Sequence, residues 1–118
     1  MAPTTLLFSA SLFASIVLAR TVEYNLMITN GTIAPDVNGG YPGPLIFANK
    51  GDTLKVKVHN KLKDPNMYQT TSIHWHGLLQ HRNADDDGPA FVTQCPIVPG
   101  ASYTYIIPLQ DQTGTYWY

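Results

Sequence analysis

Residues 54–59 read Leu54-Lys55-Val56-Lys57-Val58-His59, so apolar and polar side chains alternate one by one. This period of two is typical of a β-strand with one buried face, because successive side chains of a strand point to opposite sides. A helix would instead repeat its apolar residues every three or four positions. The stretch therefore predicts a half-buried strand whose outward face carries two lysines and a solvated His59.

Further segments continue this pattern on both sides of the strand. They are residues 22–29, 72–79 and 103–107, with a fifth strand beginning at residues 115–118, and glycine, proline and asparagine lie between them. No convincing amphipathic helical pattern competes with them. Several short strands joined by turns predict an all-β fold, in the form of an antiparallel β-sandwich.

The composition excludes some classes of partner. The chain has 118 residues and a formal net charge of −1, which gives no electrostatic basis for binding nucleic acid or an anionic membrane. Hydrophobic residues make up 44% and charged residues 13%, a balance that suits a folded domain.

The first 19 residues have the pattern of a secretory signal peptide. Residues 6–18 form a short apolar core, and Val17-Leu18-Ala19 offers a cleavage site after Ala19. The apolar core is too short for a membrane-spanning helix of about 20 residues. We therefore expect a secreted, extracellular protein without a membrane anchor, whose mature domain comprises residues 20–118.

Secretion bears on two further residues. Cys95 is the only cysteine, so in an oxidising compartment it either pairs with a thiol outside this chain or stays as a buried free thiol. Asn30-Gly31-Thr32 is a glycosylation sequon and predicts a glycan on Asn30.

The strongest candidate for a functional site is Thr71-Ser72-Ile73-His74-Trp75-His76-Gly77. On a strand His74 and His76 would point to the same face and Trp75 to the other, which presents two imidazoles to one metal ion. Imidazole binds copper, zinc, iron and nickel, so the ligand type does not select the metal. Two ligands do not close a site, and the spacing by itself leaves a structural histidine pair open as an alternative.

The other polar clusters are weaker candidates. His81 lies where a loop should begin, and the run Asp85–Asp87 is expected to be solvated because it supplies too few oxygen ligands for a hard cation. A blue copper site needs a cysteine with histidines, and no histidine follows His81. The sequence therefore predicts no blue copper centre in this chain.

With these motifs in view, the chain resembles the amino-terminal part of a fungal laccase, a multicopper oxidase. The matching stretches are residues 49–54 (NKGDTL), 71–77 (TSIHWHG), 87–97 (DGPAFVTQCPI) and 114–118 (GTYWY), in family order. The resemblance implies the first of three cupredoxin domains, each a Greek-key β-sandwich. It also implies oxidation of phenols or aromatic amines coupled to the reduction of oxygen to water.

The resemblance assigns roles to four residues. His74 matches the ligand of the type 2 copper, and His76 matches a ligand of one of the paired type 3 coppers. Asp87 resembles an acidic residue near the type 2 copper that helps to move protons. Cys95 matches a cysteine that pairs with a distant cysteine near the family's carboxyl terminus.

The chain also departs from the family pattern. The family continues past its TYWY run into a further His-x-His, so we expect residues 20–118 to be a truncated domain that does not turn over alone. Family members carry one more short strand between Ala34-Pro35-Asp36 and Asn38-Gly39, and its loss would open a sheet edge. One alternative is a non-catalytic secreted domain with weak or no copper binding. A cupin-like or zinc hydratase-like enzyme, which needs a third ligand, is disfavoured because Glu23 is the only glutamate and no histidine follows His81.

Overall fold

The computed structural model describes residues 18–32 and 34–118. It contains strands β1 (Thr21–Asn30), β2 (Pro35–Val37), β3 (Thr53–Asn60) and β4 (Ser102–Pro108), with one 3-10 helix at Ala84–Asp86. The expected signal peptide lies outside the described residues except for positions 18 and 19. In the described ranges, no helix has the length and apolar character needed to cross a bilayer.

The four strands form one sheet in the order β2-β1-β3-β4. The outer pairs β1–β2 and β3–β4 are antiparallel, but β1 and β3 are parallel, from Thr21 opposite Thr53 to Ile28 opposite Asn60. The prediction of a purely antiparallel arrangement is therefore wrong for the central pair. β3 runs in the same direction as β1 because the connection between them, residues 31–52, returns the chain to the end of the sheet where β1 began.

The alternating residues of the sequence form the core as predicted. Alternate apolar side chains of the three long strands lie on one face of the sheet and pack against residues from the loops. Together they form the core: Leu26, Ile28, Leu54, Val56, Val58, Leu62, Ile73, Trp75, Ile97, Tyr105 and Ile107. Trp75 meets the ring of Tyr105 edge-on at a centroid distance of 5.4 Å. Full burial of a valine, leucine or isoleucine side chain in such a core stabilises the fold by roughly 2 kcal/mol.

The segments predicted as strands at residues 72–79 and 115–118 are not strands in the structure. Between them they form a single bridge, His76 opposite Trp117, and Thr71 forms another with Ile97. The backbone donors of residues 73–79 bond instead to side chains and loops: Ile73 N to Tyr105 Oη (3.1 Å), Trp75 N to Asp87 O (3.2 Å) and Leu79 N to Gln112 Oε1 (2.7 Å). The alternation of apolar and polar residues at positions 72–79 therefore reflects burial on one side of an extended segment. It does not reflect a continuous ladder of hydrogen bonds to a neighbouring strand.

The edge of β4 is covered by the acidic run. Asp86 accepts hydrogen bonds from the hydroxyl of Tyr103 at 2.9 Å and from the backbone N–H of Ile106 at 3.1 Å. Burial, together with the bond to this carboxylate, raises the pKa of Tyr103 to about 12. The expectation that Asp85–Asp87 is a solvated loop is thus wrong for Asp86, which is tied to the sheet.

Asp52 ties together the starts of β1 and β3. Its side chain accepts bonds from the backbone N–H of Asn49 at 3.0 Å and from the backbone N–H and Nε of Arg20, both at 3.2 Å. The N–H of Asn49 is the largest cause that holds the pKa of Asp52 below its ordinary value of 3.8, and Arg20 adds to it.

We expect Asp52→Asn to lower the free energy of unfolding at neutral pH, because the amide forms weaker bonds than the carboxylate. Since the folded pKa is depressed, this stabilisation is present above pH 3.8 and is lost as the pH falls through the folded value. Urea denaturation from neutral to acidic pH should therefore show the two proteins converging at low pH. Asp111→Asn is the control, because that side chain is 96% exposed and its pair with Lys50 should contribute little. A difference that stays constant with pH would contradict the prediction.

Candidate metal centre

The two histidines of the central motif lie on one side of their segment. Their ring centroids are 5.5 Å apart and the rings are nearly perpendicular. Trp75 points the other way and is only 3% exposed. Both imidazoles line a cleft of about 320 Å³ whose other walls include Ile28, Val37, Trp117 and Tyr118. The predicted same-side arrangement is therefore present even though the segment is not a strand.

His74 is held by the backbone of Asp87. Its Nδ1 lies 2.9 Å from the carbonyl oxygen of Asp87, and a carboxylate oxygen of the same residue lies 3.6 Å away. A carbonyl oxygen can only accept, so Nδ1 carries the proton and donates it. In the neutral ring this bond selects the tautomer whose Nε2 has a free lone pair, the usual arrangement of a histidine that binds a metal.

Gly88 allows Asp87 to approach so closely. Its φ is +101°, a conformation that side-chain-bearing residues rarely adopt, and a Cβ at this position would overlap the carbonyl group of Ile73. The same approach brings the Asp87 carbonyl within reach of the backbone N–H of Trp75 at 3.2 Å. Sequence reasoning missed this glycine, although its place in Asp87-Gly88-Pro89 was a signal for a special backbone position.

His76 is positioned by the end of the chain. Its backbone N–H donates to the carbonyl of Trp117 at 3.0 Å, and the centroids of the His76 and Trp117 rings lie 4.8 Å apart. The side chain of Gln112 secures the turn that follows, donating to the carbonyl of Gly77 at 2.6 Å and accepting from Leu79 N at 2.7 Å. Gln112 was also missed, and no sequence signal points to it, because it lies 35 positions from Gly77.

The donor set offers two neutral imidazole nitrogens, which suit copper among other metals. In the part of the chain that the structure describes, no group of three or more His, Cys, Asp or Glu side chains could hold a metal ion. His59 sits on the outward face as predicted, with its ring nitrogen 2.8 Å from the hydroxyl of Ser102. His81 is exposed in a turn, also as predicted. His74 and His76 therefore fit part of a copper site, and further ligands would have to come from elsewhere.

A family model described as multicopper oxidase matches residues 20–118. The chain belongs to the multicopper oxidase family. Among curated relatives, Laccase-3 of Thanatephorus cucumeris is 79% identical over 126 residues, covering 100% of this chain and 22% of that protein. Laccase-2 of Fomitopsis schrenkii is 48% identical, covering 94% of this chain and 22% of that protein. The chain thus spans about a fifth of the length of these relatives.

The fold of this chain is also similar to that of a solved laccase. The crystal structure of the laccase from Botrytis aclada matches with a TM-score of 0.67 and 39% identity, over 77% of this chain and 18% of that chain. The all-β, cupredoxin-like fold predicted for this multicopper oxidase domain is therefore confirmed. Membership of the family also implies copper as the metal.

The comparison with Laccase-3 bears on the strand predicted to be missing. That alignment is 126 positions long and covers all 118 residues of this multicopper oxidase domain, which leaves eight positions of the relative without a counterpart. Eight residues are enough for one β-strand. The alignment length is therefore consistent with the loss of one short strand.

Cys95 is exposed on this multicopper oxidase domain and has no disulfide partner among the described residues. The alternative of a buried free thiol is thus wrong, since the side chain is accessible to solvent. Pairing with a cysteine outside this chain stays a prediction.

Asn30, in the predicted glycosylation sequon, also holds a loop in place. Its Oδ1 accepts bonds from the backbone N–H groups of Lys63 at 2.7 Å and Asp64 at 3.1 Å, and its Nδ2 lies 3.0 Å from the sulfur of Met67. A glycan on Nδ2 would displace the Met67 contact, whereas Oδ1 would still hold the loop. Glycosylation at Asn30 stays a prediction.

We expect Asn30→Ala to destabilise the domain by about 1–2 kcal/mol, because two backbone donors of the loop lose their acceptor. Thr32→Ala is the matched control, since it also removes the sequon but leaves Asn30 in place, and as an exposed change it should stay within about 0.5 kcal/mol. Urea denaturation of both variants from a host that does not glycosylate gives the comparison. Equal effects of the two substitutions would contradict a role for the Asn30 side chain in holding the loop.

Proposed function

We propose that this chain is the copper-binding amino-terminal domain of a laccase-like multicopper oxidase. The parent protein would oxidise phenols or aromatic amines and reduce oxygen to water. The observation that carries the proposal is the bond from His74 Nδ1 to the carbonyl of Asp87, which leaves Nε2 ready to bind a metal. The relatives named laccase and the position of His76 in the same cleft support it.

We assign His74 to the type 2 copper and His76 to a type 3 copper of the parent. Bound copper would supply one-electron redox chemistry, which amino-acid side chains do not provide. The residues of this chain hold and orient: the Asp87 carbonyl fixes the tautomer of His74, and Trp117 lies against the ring of His76. The carboxylate of Asp87, 3.6 Å from the same imidazole, would hold or pass on a proton next to the site.

The chain by itself should bind copper without turning over substrate. It offers two imidazoles among the described residues, and it spans about a fifth of the laccases it resembles. The remaining ligands and the entry point for electrons would belong to the rest of the parent. Cys95, exposed at the surface, would form a disulfide with that part.

Copper titration of the purified protein tests the proposal. We expect His74→Ala and His76→Ala each to weaken Cu²⁺ binding at least about a hundredfold, because even the loss of a partner behind a ligand costs about 10–100-fold. Calorimetry gives the affinity, and electron paramagnetic resonance of the bound Cu²⁺ reports nitrogen coordination. Neither measurement depends on enzymatic activity.

His59→Ala and His81→Ala are the matched controls for this titration, since His81 is exposed in a turn, His59 bonds to Ser102, and neither forms a group with the pair among the described residues. They should leave copper binding unchanged. If all four variants bind copper equally, the assignment of His74 and His76 fails. A folded protein that binds no copper would favour the second candidate, a secreted cupredoxin-like domain without a metal role, for which the short donor set is the supporting observation.

We also propose that the protein is secreted and that the signal peptide is cleaved after Ala19. The backbone nitrogen of Arg20 lies 3.2 Å from a carboxylate oxygen of Asp52. Cleavage would turn this amide into a charged amino group, and a charge-assisted bond is stronger than a neutral one. Amino-terminal sequencing of the secreted protein should therefore begin at Arg20, and a start several residues away would contradict the proposed cleavage site.

A further inference from the structure

We propose that Gln112 is a positioning residue for His76: its side-chain amide fixes the turn that carries His76 and thereby sets the direction of that imidazole. This role rests on the proposed function, in which His76 is a copper ligand. It is independent of His74, whose ring is held by the carbonyl of Asp87. The two imidazoles of the pair are thus positioned by different parts of the chain.

His76 lies in a tight turn. The N–H of Leu78 donates to the carbonyl of Trp75 at 3.2 Å, which closes a four-residue turn with His76 and Gly77 at its centre. Gly77 has a φ of +85°, the conformation expected at the third position of a type II turn. The turn therefore fixes the backbone of His76 and, with it, the direction in which the side chain leaves the backbone.

The side-chain amide of Gln112 bonds to the backbone directly after His76. Its Nε2 donates to the carbonyl of Gly77 at 2.6 Å, and its Oε1 accepts from the N–H of Leu79 at 2.7 Å. Within residues 18–32 and 34–118, neither of these two backbone groups has another hydrogen bond. The turn therefore cannot rotate without breaking a bond to Gln112.

Gln112 is itself anchored to the sheet. Its backbone N–H donates to the carbonyl of Leu109 at 3.1 Å, and the N–H of Leu109 donates to the carbonyl of Asp52 at 2.9 Å. Leu109 directly follows β4, and Asp52 directly precedes β3. The amide is thus carried by a short turn at the ends of two core strands, which gives the turn around His76 a rigid support.

Neighbours of Gln112 in the chain contact His76 directly. The carbonyl of Trp117 accepts the backbone N–H of His76 at 3.0 Å, and the centroids of their rings lie 4.8 Å apart. The ring of Tyr116 lies against Gly77, where an added Cβ would come within 3.0 Å of it. Residues 112–117 therefore hold His76 and its turn together.

His74 has other supports. Its Nδ1 lies 2.9 Å from the carbonyl of Asp87, and the residue before it, Ile73, donates its N–H to the hydroxyl of Tyr105 at 3.1 Å. Among the described residues, no hydrogen bond joins His74 to residues 109–118. A change at Gln112 should therefore move His76 and leave His74 in place, which a general loss of stability would not do.

NMR of the metal-free protein tests the positioning role. Gln112→Met keeps the length of the side chain and removes both hydrogen bonds to the turn. The aromatic ring of Trp117 shifts the resonances of the imidazole beside it. We therefore expect the ring protons of His76 to move toward the values of a free histidine, while those of His74 keep their values. Movement of both histidines to the same extent, or of neither, would overturn the proposal.

Two further variants complete the NMR experiment. Gln69→Met is the matched control, because the amide of Gln69 also bonds to two loop carbonyls, and the change should leave both histidines unchanged. Gln112→Glu keeps the acceptor for Leu79 N and loses only the donor, so it should move His76 in the same direction even if Gln112→Met does not fold. An effect of Gln69→Met on His76 as large as that of the Gln112 variants would contradict a specific role.

Copper titration shows whether Gln112 acts through His76. We expect Gln112→Met to weaken Cu²⁺ binding about 10–100-fold, as for the loss of a partner behind a metal ligand. In the His76→Ala protein the same change should have no further effect, whereas in the His74→Ala protein it should still weaken binding, because residues that act through one another are not additive. Equal losses in the two backgrounds would refute the positioning role.

The two measurements separate this proposal from the proposed function. A folded protein that binds no copper would contradict the proposed function, while the NMR shifts of the metal-free protein would still decide whether Gln112 positions His76. Copper binding that depends on both histidines, with shifts and affinity unchanged in Gln112→Met, would overturn the positioning role alone.

Discussion

Replacing Asn60 by alanine is expected to destabilise the domain by about 3–5 kcal/mol, because three backbone groups each lose a hydrogen bond to this side chain. The side chain is fully buried. Its Nδ2 donates to the carbonyls of Gln69 and Ile97, both at 2.7 Å, and its Oδ1 accepts from Leu62 N at 2.9 Å. A loss of this size is a large part of the 5–15 kcal/mol that stabilises a typical domain. Urea denaturation at neutral pH measures it.

Asn60→Asp is the sharper variant of the same experiment. It keeps the shape and the acceptor for Leu62 but replaces two donors by a carboxylate facing two carbonyl oxygens. The loss should be at least as large as for alanine and should shrink as the pH falls and the carboxyl group takes up a proton. Asn25→Ala is the control, because Asn25 is exposed on β1 and its side chain should contribute within about 0.5 kcal/mol. Similar losses for Asn25→Ala and Asn60→Ala would contradict the role of the buried network.

Gly88→Ala is expected to cost at least about 3 kcal/mol, since it adds backbone strain to a steric overlap in a packed region. The added Cβ would meet the carbonyl group of Ile73. Relief of this overlap requires Asp87 to move away, which breaks the bond to His74 Nδ1. We therefore expect the surviving folded protein to bind Cu²⁺ about 10–100-fold more weakly, as for other losses of a partner behind a metal ligand.

Gly51→Ala separates the two causes. Gly51 also has a positive φ, +85°, but a Cβ there would have no neighbour within 4 Å. This variant should show the conformational cost alone, about 1–2 kcal/mol, with copper binding unchanged. Denaturation and copper titration of both variants give the comparison. If Gly88→Ala behaves like Gly51→Ala in both measurements, the close approach of Asp87 is not what positions His74.

The three long strands could be predicted because their pattern is local. The alternation at residues 22–29, 54–59 and 103–107 matches β1, β3 and β4 to within two residues at each end. The rule that successive side chains of an extended segment point to opposite sides also placed His74 and His76 on one side and Trp75 on the other. It failed to separate strand from extended loop at residues 72–79, because alternation follows from burial on one side and does not require a neighbouring strand.

The partners of the site residues could not be predicted in this way. His74 meets a carbonyl 13 positions along the chain, and His76 meets Trp117 across an even longer separation. Every residue has a backbone carbonyl, so the sequence contains no signal for the bond between His74 and the carbonyl of Asp87. That bond could not be predicted. The importance of Asn60 was equally hidden, because an asparagine at the end of a strand usually marks a turn.

The all-β class, the positions of the long strands, the histidine pair and the laccase-like motifs can all be read from the amino-acid sequence. The parallel pairing of β1 with β3, the approach of Asp87 to His74 beside Gly88, and the short ladder between β1 and β2 are visible only in the folded chain. The difference lies in the range of the interactions. Side-chain alternation is set by neighbours in the chain, whereas direction, tautomer and edge pairing depend on which distant backbone groups fill each remaining hydrogen bond.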